Sequence, residues 1–258
     1  GSPTDRTLRR WRNFGLSGAK LIWGGEAAAV QPDGRANPHQ TMAVAQNATG
    51  IKALLDELLT AHQEKFGTTS DLLVGLQLTH SGRFCRPNSK QLEPRIAYHH
   101  PLLDAKFGID PEDASIVWTD EQLEKLIQSY VNAAKLAQRA GYKFVDVKCC
   151  HGYLLHEFLS ARIRPGRFGG NYEGRTRLLK TIIEQIQQQC PGLMVLVRLS
   201  FFDAPPFVSS QDVGVPMNFE SLLPYQFGFG CREDNPLELD LTEPIRLVTE
   251  LRDMGVAA

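Results

Sequence analysis

Lys148, His151 and Tyr153 lie within six residues of one another, directly after the apolar run Phe144 to Val147. If that run is a strand and a tight turn follows it, an ammonium, an imidazole and a phenol meet at one rim. Such a set can bind an anionic or carbonyl oxygen and donate a proton to a developing carbanion. The alternative is a lysine that extends to solvent beside a hydrogen-bonded core histidine and a packed tyrosine.

Two other apolar runs also end in polar residues. Gln77 and His80 close one of them, and a glutamine offers the donor and the acceptor that recognition of an amide-like ring edge requires. Arg198 is the only charge within residues 194–200, and a buried guanidinium must have a partner. That partner is either a structural carboxylate, such as Glu26, or a ligand.

Arginines are also concentrated around the pair Gly169-Gly170. The residues concerned are Arg162, Arg164, Arg167, Arg175 and Arg177. Such a group of arginines either binds a phosphate or lies in a solvated loop at the start of a helix. The solvated loop is the more common case.

The spacing of apolar residues predicts the elements that position these groups. Unbroken apolar runs predict buried strands near residues 20–24, 72–78, 144–148 and 194–199. Helical spacing predicts helices over 50–66, 119–141, 178–186 and 242–254, preceded by one that begins at Ser2-Pro3 and is broken at Gly15 and Gly18. Thr119 and Gln122 predict a capping box, and Gly67 and Gly141 predict helix ends. Proline-rich residues 84–118 and 201–241 predict two long excursions over the site.

Strands separated by helices that bury one face indicate parallel βα units. A doubly wound sheet usually carries a glycine-rich phosphate loop after its first strand, and Gly24-Gly25-Glu26 does not have that form. In a (β/α)₈ barrel, chemistry is spread over the carboxyl ends of several strands, which is where the polar residues lie here. The sequence therefore predicts an α/β fold, a partial TIM barrel with four complete strands, and residues 256–258 begin another.

Composition narrows the class of protein. The chain has 258 residues and a formal net charge of 28 − 29 = −1, which argues against a nucleic-acid-binding protein. No apolar run is long enough for a membrane span, and no export signal precedes the first helix, so we expect a cytoplasmic protein. The five cysteines form no C-x-x-C pair, so we expect reduced, packed thiols and no metal site.

At this point several motifs resemble one known family. They occur in family order and cover essentially the whole chain: LIWGGEAAAV (21–30), QLTHSGR (77–83), HGYLLHEFLS (151–160), GGNYEGRTRLL (169–179) and VRLS (197–200). They resemble the Old Yellow Enzyme family of NADH:flavin oxidoreductases, including the barrel part of 2,4-dienoyl-CoA reductases. HGYLLHEFLS is the most specific of them.

The resemblance implies residues 1–258 as a single, incomplete FMN-binding TIM-barrel domain, roughly strands 2 to 5 of the barrel with their helices. It implies that Ala27 touches the flavin through its backbone and that Gln77 hydrogen-bonds the pyrimidine edge. Arg198 would lie by N1 and the C2 carbonyl. His151 would be the second member of the pair that binds the substrate oxygen, and Tyr153 would be the proton donor. The implied reaction is reduction of an activated alkene, an unsaturated carbonyl compound, with NADH or NADPH as reductant.

The sequence departs from the family pattern in three places. Lys148 stands where the first oxygen-binding residue is usually histidine, which favours a small substrate with a negative charge. Gly174 stands where the family usually has asparagine. The family's first strand would lie before Gly1 and its last strands, whose loops grip the FMN phosphate, after Ala258.

Two other classes of function stay open on the residues alone. A desolvated lysine at a strand end suits a carbon–carbon lyase in which Lys148 forms a Schiff base. A catalytically inert fragment is the third interpretation. Oligomeric state does not follow from the sequence.

Overall fold

A parallel sheet forms the centre of the molecule, and the computed structural model describes residues 1–257. Its long strands are β3 (Leu73–Thr79), β4 (Phe144–Cys149) and β5 (Met194–Leu199). Two short strands, β1 (Leu21–Ile22) and β2 (Ala27–Ala29), pair in succession with the same edge of β3. The order across the sheet is β1/β2, β3, β4, β5, with every pairing parallel. The predicted parallel strands are confirmed, although the first comprises only Leu21–Ile22 and β2 was not predicted. The fold is a partial TIM barrel, and within residues 1–257 the sheet ends at β5 without closing.

Helices flank this sheet and also occur in the loops that follow its strands. They are α1 (Asp5–Ser17), α2 (Ala48–Phe66), α3 (Pro101–Phe107), α4 (Asp120–Ala140), α5 (Leu154–Leu159), α6 (Tyr172–Gln189) and α7 (Thr242–Asp253). Side chains on the helix-facing side of β4, including Val145 and Val147, join the apolar core that α4 and α6 also supply. Within residues 1–257 no helix is both long and apolar enough to cross a membrane.

Most helix ends lie where the sequence predicts them, but the first helix differs from the prediction in its cap and in its end. The Thr119–Gln122 capping box is present, and Gly67 and Gly141 end their helices in the left-handed conformation. The first helix, however, is capped by Thr4 rather than Ser2, whose hydroxyl donates to Asn47 Oδ1 at 2.9 Å instead.

Gly15 does not break the first helix, which continues to Ser17. It lies where α1 crosses α2, and a Cβ at this position would overlap the backbone carbonyl of Leu58. The glycine therefore permits a close helix contact.

The two excursions cover the carboxyl ends of the strands. The first contains α3, and the second contains the antiparallel pair β6 (Phe207–Val208) and β7 (Val215–Pro216). They meet in a small apolar cluster of Leu102, Tyr225 and Cys231. At the other end of the chain, Ala257 N–H donates to Val195 O of β5 at 3.1 Å. The predicted final strand also includes Ala258, which lies outside the described residues.

The inner face of the sheet is lined in layers. Gly75 of β3 and Phe144 of β4 are register neighbours at the bottom, and a Cβ at Gly75 would overlap the Phe144 ring. Phe144 is fully buried and packs edge-on against Trp23, with ring centroids 5.7 Å apart. An aromatic ring thus fills the bottom of the inner face.

Candidate active site at the carboxyl ends of the strands

Polar side chains occupy the layers above that ring. Gln77 of β3 is the register neighbour of Asp146 on β4, and Lys148 of β4 is the neighbour of Arg198 on β5. Register neighbours in a parallel sheet point to the same face, and every second residue along a strand returns to it. The sheet therefore brings these four side chains together on its inner face.

Asp146 is the residue of this site that the sequence analysis missed. Its side chain is fully buried, and its Oδ2 accepts a hydrogen bond from Gln77 Nε2. Its other oxygen, Oδ1, is buried without a hydrogen-bond partner among residues 1–257. The available signal was a lone carboxylate inside the apolar run Phe144 to Val147, since a buried charge requires a partner.

Lys148 does not extend to solvent. Its side chain is buried, and its ammonium lies 3.8 Å from the centroid of the Tyr153 ring. A cation over an aromatic face is held by the ring quadrupole. Burial lowers the pKa of Lys148, and burial raises the pKa of the Tyr153 phenol. The phenol therefore stays protonated at neutral pH.

His151 stands at the rim beside them, exposed to solvent. Its backbone has a φ of 62°, and its N–H donates to Ser200 Oγ of the loop after β5 at 3.3 Å. Partial burial and the neighbouring charges of Arg198 and Lys148 lower the pKa of His151. At neutral pH the ring is therefore an uncharged donor and acceptor.

Arg198 differs from the prediction. It is exposed on the edge strand β5, and Glu26 pairs with Arg10 instead of with it. Within residues 1–257, β5 is the last strand of the sheet, and the Arg198 side chain reaches water there. Neither Arg198 nor Lys148 forms an ion pair with any residue in the described part of the chain.

Comparison with known proteins identifies the family. The sequence profile described as the NADH:flavin oxidoreductase / NADH oxidase family matches residues 19–212, about three quarters of the chain. The chain belongs to this family. A curated NADH:flavin oxidoreductase of Gibberella zeae is 31% identical over an alignment of 193 positions, which covers 69% of this chain and 44% of that protein. The NADPH dehydrogenase of Bacillus subtilis is 30% identical over 187 residues, covering 69% of this chain and 48% of the relative. The chain thus spans about half the length of these relatives.

Solved structures show the same fold. Morphinone reductase superposes with a TM-score of 0.64 at 19% identity, over 98% of this chain and 61% of that one. An Old Yellow Enzyme from Pichia sp. superposes with a TM-score of 0.55 at 24% identity, over 76% of this chain and 51% of that one.

Within this family member, Ala27 lies where its backbone borders the polar layers. It is the register neighbour of Gln77, and its carbonyl accepts from Gln40 Nε2 at 2.7 Å. His80, by contrast, stays outside the site. Its ring is buried against Trp118, and its Nδ1 accepts from Gly82 N–H at 3.1 Å.

A buried ion network under the first excursion was also missed. Arg83 is fully buried and bonds to Asp104, to Glu157 Oε1 (Nε at 2.8 Å) and to Tyr98 O (2.9 Å). Glu157 Oε2 accepts from Ala97 N–H at 3.0 Å. The network ties the excursion to α5, the helix that follows Tyr153. Its members are far apart in the sequence, so no local sequence pattern predicts the network.

Four of the five arginines around Gly169-Gly170 form ion pairs with carboxylates, and the fifth, Arg177, donates from Nε to Arg167 O at 2.9 Å. The pairs are Arg162 with Glu233, Arg164 with Asp120, Arg167 with Glu124, and Arg175 with Glu243. Arg175 thus joins α6 to α7, whereas the other three pairs join the loop before α6 to α4 and to the second excursion. All five cysteines are free and buried, as expected of packed thiols.

Proposed function

We propose that this chain forms much of the active site of an FMN-dependent oxidoreductase, which reduces the alkene of an unsaturated carbonyl compound at the expense of NADH or NADPH. The observation that carries the proposal is the layered inner face: Gln77 with Asp146 below, Lys148 and Arg198 above, and Tyr153 against the lysine. The matched family and its named relatives support the same class of reaction.

The polar layers fit the ring end of FMN. Gln77 uses one N–H on Asp146 and keeps its carbonyl oxygen and second N–H for the pyrimidine edge. The buried, unpartnered Oδ1 of Asp146 marks a place where a hydrogen-bond donor is missing. The unpaired guanidinium of Arg198 suits the N1 and C2 carbonyl end of the ring, and the backbone of Ala27 borders it. Bound FMN would supply hydride transfer from the nicotinamide to the β-carbon of the alkene.

The chain's own residues would do the rest of the chemistry. Lys148 and His151 bind the carbonyl oxygen of the substrate, which polarises the alkene. Tyr153 is the acid that donates the phenolic proton to the α-carbon, because its raised pKa keeps that proton in place at neutral pH. The ammonium over its ring then stabilises the phenolate that remains.

Charge selects the substrate class. With Arg198 directed to the flavin, Lys148 is the buried cation left for the substrate, and it has no carboxylate partner in residues 1–257, so the site favours a small substrate with a formal negative charge. The buried Lys148 also supports a second candidate, a Schiff-base lyase, since burial lowers its pKa and so makes the neutral amine more available.

Flavin titration tests the proposal. We expect the full-length protein to quench the fluorescence of added FMN with one-to-one stoichiometry and to oxidise NADH or NADPH when an enone carboxylate is supplied. Absence of FMN binding would refute it. Borohydride reduction in the presence of a carbonyl substrate tests the rival, because only the lyase forms a covalent amine adduct on Lys148.

A further inference from the structure

The turn between β4 and α5 presents both His151 and Tyr153, and its amides are all engaged. His151 N–H donates to Ser200 Oγ, and Tyr153 N–H donates to Cys150 O at 3.2 Å. Leu154 N–H donates to His80 O at 3.2 Å. Gly152 N–H, in the middle of the turn, donates to the Nδ1 atom of His156 at 2.9 Å.

This turn has an unusual backbone. His151 has a φ of 62° and Gly152 a φ of 68°, so two successive residues are left-handed. Among residues 1–257, His151 is the one residue other than glycine with a positive φ. A side chain with a Cβ rarely adopts this conformation unless surrounding bonds impose it. The hydrogen bond at Gly152 is therefore one of the constraints that keep His151 at the rim.

His156 is well suited to supply that bond. It lies in the short helix α5 and is 3% exposed. Burial lowers its pKa to about 4, so the ring is neutral at pH 7 and Nδ1 carries a lone pair. Its other nitrogen, Nε2, is buried without a partner in the described residues. Because Nε2 has no partner among those residues, a buried imidazole at this position stabilises the fold less than an apolar side chain of similar size would. The hydrogen bond from Gly152 is the contribution that an apolar side chain could not make.

We propose that His156 is a positioning residue for the active site: its Nδ1 holds the left-handed turn that places His151 and Tyr153 against Lys148. The bond itself belongs to the fold. Its consequence for catalysis rests on the function proposed above, in which these residues bind the substrate oxygen and donate the proton.

Two substitutions separate hydrogen bonding from packing. His156→Asn keeps an acceptor at the same number of bonds from the backbone, because Asn Oδ1 corresponds to His Nδ1. His156→Leu keeps comparable bulk and removes the acceptor. His62→Asn is the matched control, since His62 is also fully buried, but its Nδ1 bonds to Gly15 O between α1 and α2, away from the turn.

Hydrogen–deuterium exchange in the full-length protein measures the turn directly. We expect His156→Leu to speed exchange of the Gly152 amide by about tenfold, the scale of one lost hydrogen bond, while His156→Asn stays near the original protein. His62→Asn should leave this amide unchanged. If the leucine variant does not fold, His156→Ala gives the same comparison without steric overlap. Unchanged exchange in the leucine or alanine variant would overturn the proposal, as would equal acceleration by asparagine and leucine.

Steady-state kinetics then tests the catalytic consequence. We expect His156→Leu to lower kcat for alkene reduction by about tenfold with little change in the KM for NADH or NADPH, and His156→Asn to restore most of it. A kcat in the leucine variant equal to that of the original protein would overturn the positioning role. Failure of the proposed function would look different: the original protein would not turn over either, whereas the exchange result would be unaffected.

Discussion

Replacing Arg83 by methionine should destabilise the protein more than any surface substitution. The fully buried guanidinium contacts two carboxylates, Asp104 and Glu157, and one backbone carbonyl, Tyr98 O. Methionine fills part of the volume but leaves the two carboxylates without their cation. Removing one partner of a buried ion pair costs about 3–5 kcal/mol, because the remaining charge is uncompensated.

The expected cost here is about 4 kcal/mol of unfolding free energy at pH 7.5. Asp104 retains one partner, since His99 Nδ1 lies 2.6 Å from its Oδ2, which keeps the cost below the upper limit. Glu157 retains only the Ala97 amide. For a protein of this size, the loss corresponds to a Tm lower by about 8–16 °C.

The cost should also depend on pH. Burial raises the pKa of Glu157 even with Arg83 in place, and removal of the cation raises it further. A carboxyl whose pKa is higher in the folded than in the unfolded state stabilises the fold below its unfolded pKa, and this stabilisation is lost as pH rises through the folded pKa. The deficit of the variant should therefore be smaller at pH 5 than at pH 7.5.

Urea unfolding at the two pH values measures both effects. Arg167→Met is the matched control, because Arg167 pairs with Glu124 on the surface and its loss should leave the free energy of unfolding nearly unchanged. An Arg83→Met cost no larger than that of the control, or one that does not change with pH, would refute the reasoning.

Three further predictions concern the site and its cover. Lys148→His should weaken anionic substrates and improve neutral enones, and Lys148→Ala should cost about 1.5–3 kcal/mol of transition-state binding; equal kcat/KM ratios for one anionic and one neutral substrate in all three proteins would contradict this. Gln77→Leu should weaken FMN binding at least about tenfold in a fluorescence titration, because it removes the amide and leaves Asp146 unpaired; unchanged affinity would show that Gln77 does not meet the flavin. Asp203 is a half-buried residue of the second excursion, and desolvation raises its pKa to about 7, so its contribution to stability is present below its unfolded pKa and lost as pH rises through 7. Asp203→Asn should therefore reduce the loss of unfolding free energy between pH 5.5 and 8, and an identical loss in both proteins would rule the carboxyl out.

The strands and helices were predictable because their signals are local. Residues 72–78 and 144–148 are short apolar runs between helical patterns, and right-handed crossovers place consecutive strands side by side. Lys148 and Gln77 were predictable as site residues for the same reason, since polar groups at the ends of buried strands must share one rim.

Contacts between residues that are far apart in the sequence were not predictable in the same way. Arg198 was expected to be buried, but in the described residues it is exposed on β5, and the burial of a side chain depends on neighbouring strands that its own residues do not encode. Arg83 meets Asp104 and Glu157 across 21 and 74 positions of sequence. Asp104 lies in the proline-rich excursion, where charged residues are ordinarily solvated. Only the folded contacts distinguish it from its neighbours.

The bottom layer of the inner face also constrains how relatives of this protein can vary. Because the Phe144 ring occupies the space that a Cβ of Gly75 would take, the two positions share one fixed volume. Gly75→Ala should be tolerated only when Phe144 becomes smaller, for example leucine, since overpacking a filled core displaces the strands. A strand displaced there would move Gln77, two residues along β3. Among homologous sequences, we therefore expect a small residue at one of these two positions to occur together with a large residue at the other.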